Sequence, residues 1–381
     1  MTGAILAALL AVNTTADPLD DMRPPPAVPH FEWGLLPAID YSSDFGLGLG
    51  AVGALYRADP ARTLYVYTVQ AQVYANTGGQ QYHYLSIDVP AILDSPYRIL
   101  ALVAYDRSRF APWYGIGNHG PPDSSEPNIY YQVDRLAPTV RLQGRRSLNG
   151  WLQVFAQYRF TWARIDTYPG SLLQQESPSG IRGGRYADLL LGLLADTRDN
   201  EISPTRGEFA ELALRGAHPA LGSQYATAGV YAGVSVFRQP WERLVLAGRL
   251  AFDQLWGDVP FDHLEDIGAS HLQAGLGGGT TIRGLLQSEY VGTTKALLNL
   301  EARVHLVAFS LLGQNFKLAL LGFFDSGRVW SRGTADPPGP NIRYGAGGGL
   351  RLTWGSFFVV RADCGAAPGL VRFYVDVGHI F

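Results

Sequence analysis

The sequence predicts an all-β protein, a sixteen-stranded antiparallel transmembrane β-barrel with an inward-folded arginine-glycine loop. Segments in which apolar and polar residues alternate recur along the chain, as strands facing lipid outside and water inside require. No run of about 18 apolar residues is present, which excludes a helical membrane span. A glycine-rich stretch, residues 275–292, interrupts the alternation and carries one cation near its middle, Arg283.

The N-terminal end has the pattern of an export signal. An apolar run over residues 4–12 is too short to span a membrane, and its length suits the core of a secretory signal. We predict a signal peptide over residues 1–16, although the first three residues lack the usual basic residue. Residues 17–34 then form a Pro-rich periplasmic leader without a core-forming pattern, and residues 35–381 form the barrel.

The alternating segments define sixteen strands, most of them reaching the roughly 9–11 residues that a crossing needs. In the seventh, for example, Leu152 and Trp162 share an apolar face opposite Arg159. The predicted strands are 35–41, 45–57, 62–75, 80–91, 96–108, 128–144, 150–167, 184–197, 205–216, 223–238, 241–257, 292–309, 315–330, 342–354, 356–364 and 370–381.

The connections agree with a closed barrel whose ends both face the periplasm, as an even strand number requires. Short turns fall on that side and long loops on the other. The short turns are 58–61, 145–149 and 310–314, and the long loops are 109–127, 168–183, 258–291 and 331–341.

Composition narrows the function classes. The net charge is −3 with no basic block, so we expect no nucleic-acid partner. The single Cys364 rules out an internal disulfide, and the eight histidines show no metal-ligand spacing, so we expect no metal and no cofactor. A Gly-x-Ser-x-Gly motif and a phosphate loop are both missing, so we expect no enzyme activity.

The last predicted strand alternates Phe373, Val375 and Val377 and ends on Phe381. A terminal aromatic on such a strand resembles the recognition signal of bacterial outer-membrane barrels. We therefore predict that the protein resides in the bacterial outer membrane. His379 takes an outward position in this strand, and we expect it at the periplasmic headgroups.

Four motifs stand in order along the chain. They are a first hairpin at 37–46, a turn at 196–207, the tetrapeptide Ile282-Arg283-Gly284-Leu285, and an aromatic-aspartate-glycine strand at 322–327. Together they resemble the BamA/TamA family, also called the bacterial surface antigen family, over residues 35–381. Two features depart from that family: Leu285 stands where an aromatic is usual, and we expect a barrel lacking the family's periplasmic POTRA repeats.

The resemblance implies that Arg283 folds into the barrel lumen and pairs with carboxylates on the following strands. The matching positions are Glu301 and Asp325, and Glu301 shares its polar face with Asn299 and Arg303. One interpretation is a loop lock, with Ile282 and Gly284 flanking the arginine, that sets the barrel conformation during substrate passage. The alternative is a static strut that plugs the pore.

The turn with Asp196, Arg198, Asp199 and Gly207 resembles the family's mid-barrel turn. It either offers a docking surface to a partner or uses its side chains to satisfy local backbone groups, as Asx turns do. We favour turn chemistry.

By resemblance, the protein acts in outer-membrane protein insertion, assembly or translocation through a lateral seam between the first and last strands. Expected partners are outer-membrane lipids, client outer-membrane proteins and periplasmic partner proteins. Two alternatives remain: a passive pore or structural barrel, and a barrel-embedded lipid enzyme, for which no Ser/His/acid set can be assembled.

Overall fold

The computed structural model describes residues 29–59, 65–119, 122–201, 203–311, 314–331, 339–354 and 358–381. The predicted signal peptide and most of the predicted leader lie outside these ranges. Within them, no helix is long and apolar enough to cross a membrane.

The described chain forms one antiparallel sheet that closes on itself. Each strand pairs with its neighbours in sequence, and the first strand also pairs with the last. The strands are β1 His30–Ser42, β2 Gly46–Ala58, β3 Tyr67–Asn76, β4 Gln80–Val89, β5 Tyr97–Pro112, β6 Gln132–Leu136 and Thr139–Ser147, β7 Leu152–Thr167, β8 Gly183–Asp196, β9 Gly207–Ala217, β10 Thr227–Trp241, β11 Leu244–Gly257, β12 Thr294–Leu311, β13 Gln314–Trp330, β14 Arg343–Trp354, β15 Phe358–Ala367 and β16 Leu370–Val377. With the two segments of β6 counted as one strand, the predicted sixteen-stranded barrel is confirmed.

Helical structure is confined to short pieces in the connections. In the described residues these are α1 Leu172–Glu176 and four 3₁₀ turns at Ile92–Asp94, Asn128–Tyr131, Pro219–Leu221 and Phe261–His263. The connection after β11 also contains a small β-hairpin, in which Ile267–Gly268 pairs with Leu272–Gln273.

Alternation along each strand sorts side chains between bilayer and lumen. On β11, Leu246, Leu250 and Phe252 are exposed on the outer surface, whereas Arg249 and Asp253 are buried inside. Because successive side chains point to opposite faces, this period-two pattern buries charge in the lumen and presents apolar groups to lipid.

Several strand boundaries differ from the sequence-based expectation, among them those of β1, β6 and β16. β1 begins at His30, five residues before the predicted start. β6 is interrupted at residues 137–138, because Pro138 has no N–H to donate to the ladder. β16 ends at Val377, since Gly378 takes a positive φ of 83° and redirects the chain.

The prediction for His379 was wrong as a consequence. This residue follows the Gly378 turn, and its Nε2 lies 3.4 Å from Ser203 Oγ instead of facing the headgroups. Burial and the neighbouring Arg303 and Arg351 hold the pKa of His379 well below its ordinary value. Phe381 likewise lies beyond the last strand and does not end it.

Two buried apolar clusters lie inside the barrel and at its outer end. One packs Leu276, Ile282 and Leu285 of the long connection after β11 against wall residues such as Leu190 and Tyr231. The other joins the outer connections through Trp113, Leu173, Phe261, Leu264 and Val291 and caps that end of the barrel.

Candidate functional site

The connection between β11 and β12 carries the arginine loop, which we define as residues 275–292. Its glycines serve two purposes. Gly277 and Gly284 adopt φ of 122° and 106°, which L side chains rarely take. A Cβ at Gly284 would lie 2.8 Å from the carbonyl carbon of Ala366, so only glycine lets the loop backbone lie this close to β15.

Arg283 is fully buried and its guanidinium contacts three carboxylates. Its Nε and Nη2 donate to Asp325 at 2.8 and 3.0 Å, in a bidentate pair. Its Nη1 donates to Glu301 at 2.8 Å and to Asp363 at 3.3 Å. The guanidinium carbon lies 3.5 Å from the ring centroid of Phe323, so an aromatic face covers the cation.

The charges around Arg283 are balanced. Asp363 also accepts from Arg351 at 2.6 Å, and Glu301 accepts from Arg303 at 2.8 Å. Together with the Arg361–Asp376 pair, four guanidiniums face four carboxylates. Burial alone would lower the pKa of Arg283, but Asp325 and the other carboxylates raise it above its ordinary value.

Asp363 and Arg351 complete this network, although neither had been predicted. Each follows a period-two pattern on its strand, with Arg361 and Asp363 on one face of β15. This alternation predicts that both side chains face the lumen. It does not predict which charged side chains they contact there.

The loop backbone is held by other strands as well. Arg249 of β11 donates to Thr280 O at 3.0 Å, and Asn299 of β12 to Thr281 O at 2.6 Å. Arg361 of β15 donates to Gly279 O at 2.7 Å, and the Tyr374 hydroxyl of β16 to Leu285 O at 3.2 Å. These bonds hold the loop from the β11–β16 side of the lumen, and the Gln287 amide also donates to Asp44 of the β1–β2 turn at 3.3 Å.

The barrel closes at β1 and β16 through very little pairing. Only Tyr41–Val375 and Ser42–Tyr374 are in register between these strands, whereas β1 and β2 pair at thirteen positions. Next to these positions, the Phe373 amide donates to Ser43 Oγ at 3.0 Å and the Ser43 amide donates to Phe373 O at 3.1 Å. Arg372 Nη1 donates to Ser43 O at 3.0 Å and lies 3.5 Å from Asp44 Oδ1. Along residues 30–40, β1 has no strand partner on this side within the described chain.

The C-terminal residues turn away from this edge into the lumen. Ile380 O accepts hydrogen bonds from Arg249 at 3.1 Å and from Gln273 at 3.0 Å. The Phe381 ring centroid lies 5.2 Å from the Arg249 guanidinium carbon. As a result these residues do not extend β16 along β1.

The remaining predicted residues lie apart from the arginine network. On β16, Phe373 is exposed toward lipid and Val375 pairs with Tyr41, while the Val377 backbone pairs with Val360. None of these contacts Arg283 within the described residues.

At the predicted mid-barrel turn the side chains bond locally. Arg198 forms two hydrogen bonds with Asp196 at 2.9 and 2.7 Å, and Gly207 adopts a φ of 100°. Asp199 accepts from the Thr205 amide at 2.9 Å and from the Arg206 amide at 3.1 Å. Partial burial would raise the pKa of Asp199, but these hydrogen bonds hold it below its ordinary value.

Comparisons with known proteins place the chain among outer-membrane barrels. The Omp85 superfamily domain matches residues 66–381. BamA from Haemophilus ducreyi lacking POTRA domains 1–3 is similar in structure, with a TM-score of 0.59 and 15% identity over 92% of this chain and 70% of that one. No curated protein sequence matches significantly.

CdiB is similar in two species. CdiB from Escherichia coli gives a TM-score of 0.58 and 14% identity, over 91% of this chain and 63% of that one. CdiB from Acinetobacter baumannii gives 0.51 and 13%, over 93% and 66%. At these identities the likeness is one of fold, and this chain spans about two thirds of the CdiB chains.

Proposed function

The chain belongs to the Omp85 superfamily of outer-membrane barrels, and on that premise we propose that it inserts client proteins into the outer membrane through the seam between β1 and β16. The single observation that carries the proposal is the brevity of that seam, with two registered positions. A strand edge in lipid is costly because its backbone groups find no water. A short seam keeps that cost low when the barrel opens.

The energetics favour opening at this edge over any other. A backbone hydrogen bond contributes a net of about 0.5–1.5 kcal/mol in water, and more where no water replaces it. Separating β1 from β2 breaks pairing at thirteen positions, whereas separating β1 from β16 breaks it at two. Thermal opening therefore concentrates at the seam.

The unpaired part of β1 is suited to receive a client strand. Residues 30–40 present backbone donors and acceptors on the side facing away from β2. An extended client segment adds to such an edge by main-chain hydrogen bonds, which are independent of its side chains. The client is then handed from the edge into lipid.

The contents of the lumen support a lateral route over a vertical one. The arginine loop is held by several strands, and the cluster around Trp113 and Phe261 covers the outer end. In this proposal Arg283 braces β12, β13 and β15 while β1 moves. Periplasmic partner proteins deliver the clients.

A disulfide across the seam tests the proposal. Tyr41→Cys with Val375→Cys, in a Cys364→Ser background, joins two registered residues of β1 and β16. The oxidised protein in proteoliposomes is expected to lose insertion of a client outer-membrane barrel, and reduction is expected to restore it.

A second disulfide serves as the matched control. Leu35→Cys with Gly53→Cys joins registered residues of β1 and β2 and leaves the seam free. Insertion is expected to survive this cross-link. Full client insertion by the oxidised seam variant would refute the lateral route.

A further inference from the structure

A groove of about 980 Å³ lies on the lipid-facing side of β5 to β9, away from the seam. Its floor consists of Gly144 and Ala156, which are registered neighbours on β6 and β7. Ile99 flanks Gly144 on one side, and Leu191 flanks Ala156 on the other. A Cβ at Gly144 would meet no heavy atom within 4 Å, so the floor is open to the bilayer.

The dimensions suit a lipid tail. Ile99 and Leu191 stand on strands three spacings apart, or about 14 Å at 4.7–4.9 Å per spacing. Two acyl chains fit side by side between these walls. Because Gly144 and Ala156 have almost no side chain, the tails lie closer to the sheet here than over neighbouring leucines.

The periplasmic end of the groove carries an unneutralised cation. Arg146 lies two residues beyond Gly144 toward the turn after β6, and it is exposed. Its guanidinium carbon lies 5.5 Å from the ring centroid of Tyr97, which also lines the groove. No carboxylate in the described part of the chain pairs with Arg146, whereas Arg98 nearby is held by Asp88 at 2.6 Å.

We propose that this groove binds one glycerophospholipid of the periplasmic leaflet, with its acyl chains over Gly144 and Ala156 and its phosphate at Arg146. An arginine fork matches phosphate oxygens and forms charge-assisted hydrogen bonds with them. Tyr97 marks the headgroup level, where interfacial aromatics concentrate. The site is independent of the seam and of client insertion.

Native mass spectrometry of the full chain in mild detergent tests the proposal, with dioleoyl phosphatidylglycerol as the probe. The wild type is expected to retain one lipid. Arg146→Gln is expected to weaken retention about tenfold, the scale of one lost charge-assisted contact. Arg146→Lys keeps the charge and is expected to retain most of the binding.

Gly144→Leu fills the floor and is expected to abolish retention. Gly322→Leu is its matched control, because Gly322 is a lipid-facing glycine on β13 whose added Cβ would meet only Gly347 O, at 4.0 Å. Migration on unheated gels reports whether each barrel is folded. If Gly144→Leu does not fold, Ala156→Leu fills the same floor.

Dioleoylglycerol has the same acyl chains without a phosphate. It is expected to bind weakly, and Arg146→Gln is expected to leave its retention unchanged. If the wild type and Arg146→Gln retain phosphatidylglycerol equally, the bound lipid is only annular lipid without a specific site, and the proposal is overturned. An equal loss in Gly322→Leu and Gly144→Leu overturns it as well.

Discussion

Two neighbouring regions of the same barrel are closed in different ways. The wall from β12 to β15 is paired along long ladders, and inside it Arg283 joins Glu301, Asp325 and Asp363 on three strands. The seam next to it has two registered positions, supplemented at the β1–β2 turn by hydrogen bonds between Ser43 and Phe373 and by contacts of Arg372 with Ser43 O and Asp44. Closure of the sheet is therefore uneven, with a braced wall beside a weak edge.

The difference teaches how a barrel can open without unfolding. Charges that lie on separate strands hold those strands in one arrangement, because each is buried and needs its partner. The charge pair at the seam, Arg372 with Asp44, joins fewer strands, and in our proposal this edge separates at a lower cost than the wall. Three changes break or sharpen this comparison.

Removing the Arg283 guanidinium has the largest expected effect. Arg283→Ala leaves buried Asp325 without a cation among the described residues, because its other donors there, the Asn299 amide group and the backbone N–H of residue 283, are neutral. We expect a loss of about 3–5 kcal/mol of unfolding free energy, measured by urea unfolding of the barrel in liposomes.

An exposed pair on β7 provides the control for this variant. Arg164 and Asp166 are 64% and 58% exposed, so Arg164→Ala is expected to cost less than about 1 kcal/mol. A similarly small loss in Arg283→Ala would mean that the wall is not braced by the loop.

Gly284→Ala tests how tightly the loop lies against the wall. The added Cβ combines a φ of 106° with a 2.8 Å approach to Ala366, for an expected cost of about 3 kcal/mol. Gly369, in the turn before β16, also has a positive φ, of 79°, but an added Cβ would meet no atom within 4 Å. Gly369→Ala therefore measures the cost of the backbone conformation without the clash, which we expect to be about 1 kcal/mol. Equal losses in urea unfolding would indicate a loop that moves freely.

The smallest effect is expected at the seam itself. Ser43→Ala removes the hydroxyl oxygen that accepts from the Phe373 amide, so global stability changes by about 1 kcal/mol or less. Hydrogen exchange of the 370–377 segment is nevertheless expected to speed up severalfold, because this segment opens locally. Ser326→Ala on β13 is the control, and unchanged exchange in Ser43→Ala would contradict local opening.

Much of the barrel follows from the sequence alone. Period-two alternation determines which face each strand turns to lipid, and the loop lengths determine the parity of the strands. The position of Glu301 on the polar face of its strand predicts that it lies in the lumen. The motif resemblance adds Asp325 and Arg283, and all three residues lie together in the structure.

Register and chain direction at the seam were decided only by the tertiary structure. Period two identifies a face, but it does not say which residue of a distant strand stands opposite, so Asp363 and Arg351 went unpredicted beside Arg283. The same limit applies to the tail, where one positive-φ glycine and the lumenal acceptors and donors around Ile380 outweighed the alternation that favoured a longer strand. Local patterns encode local geometry, whereas these features depend on contacts between residues far apart in the chain.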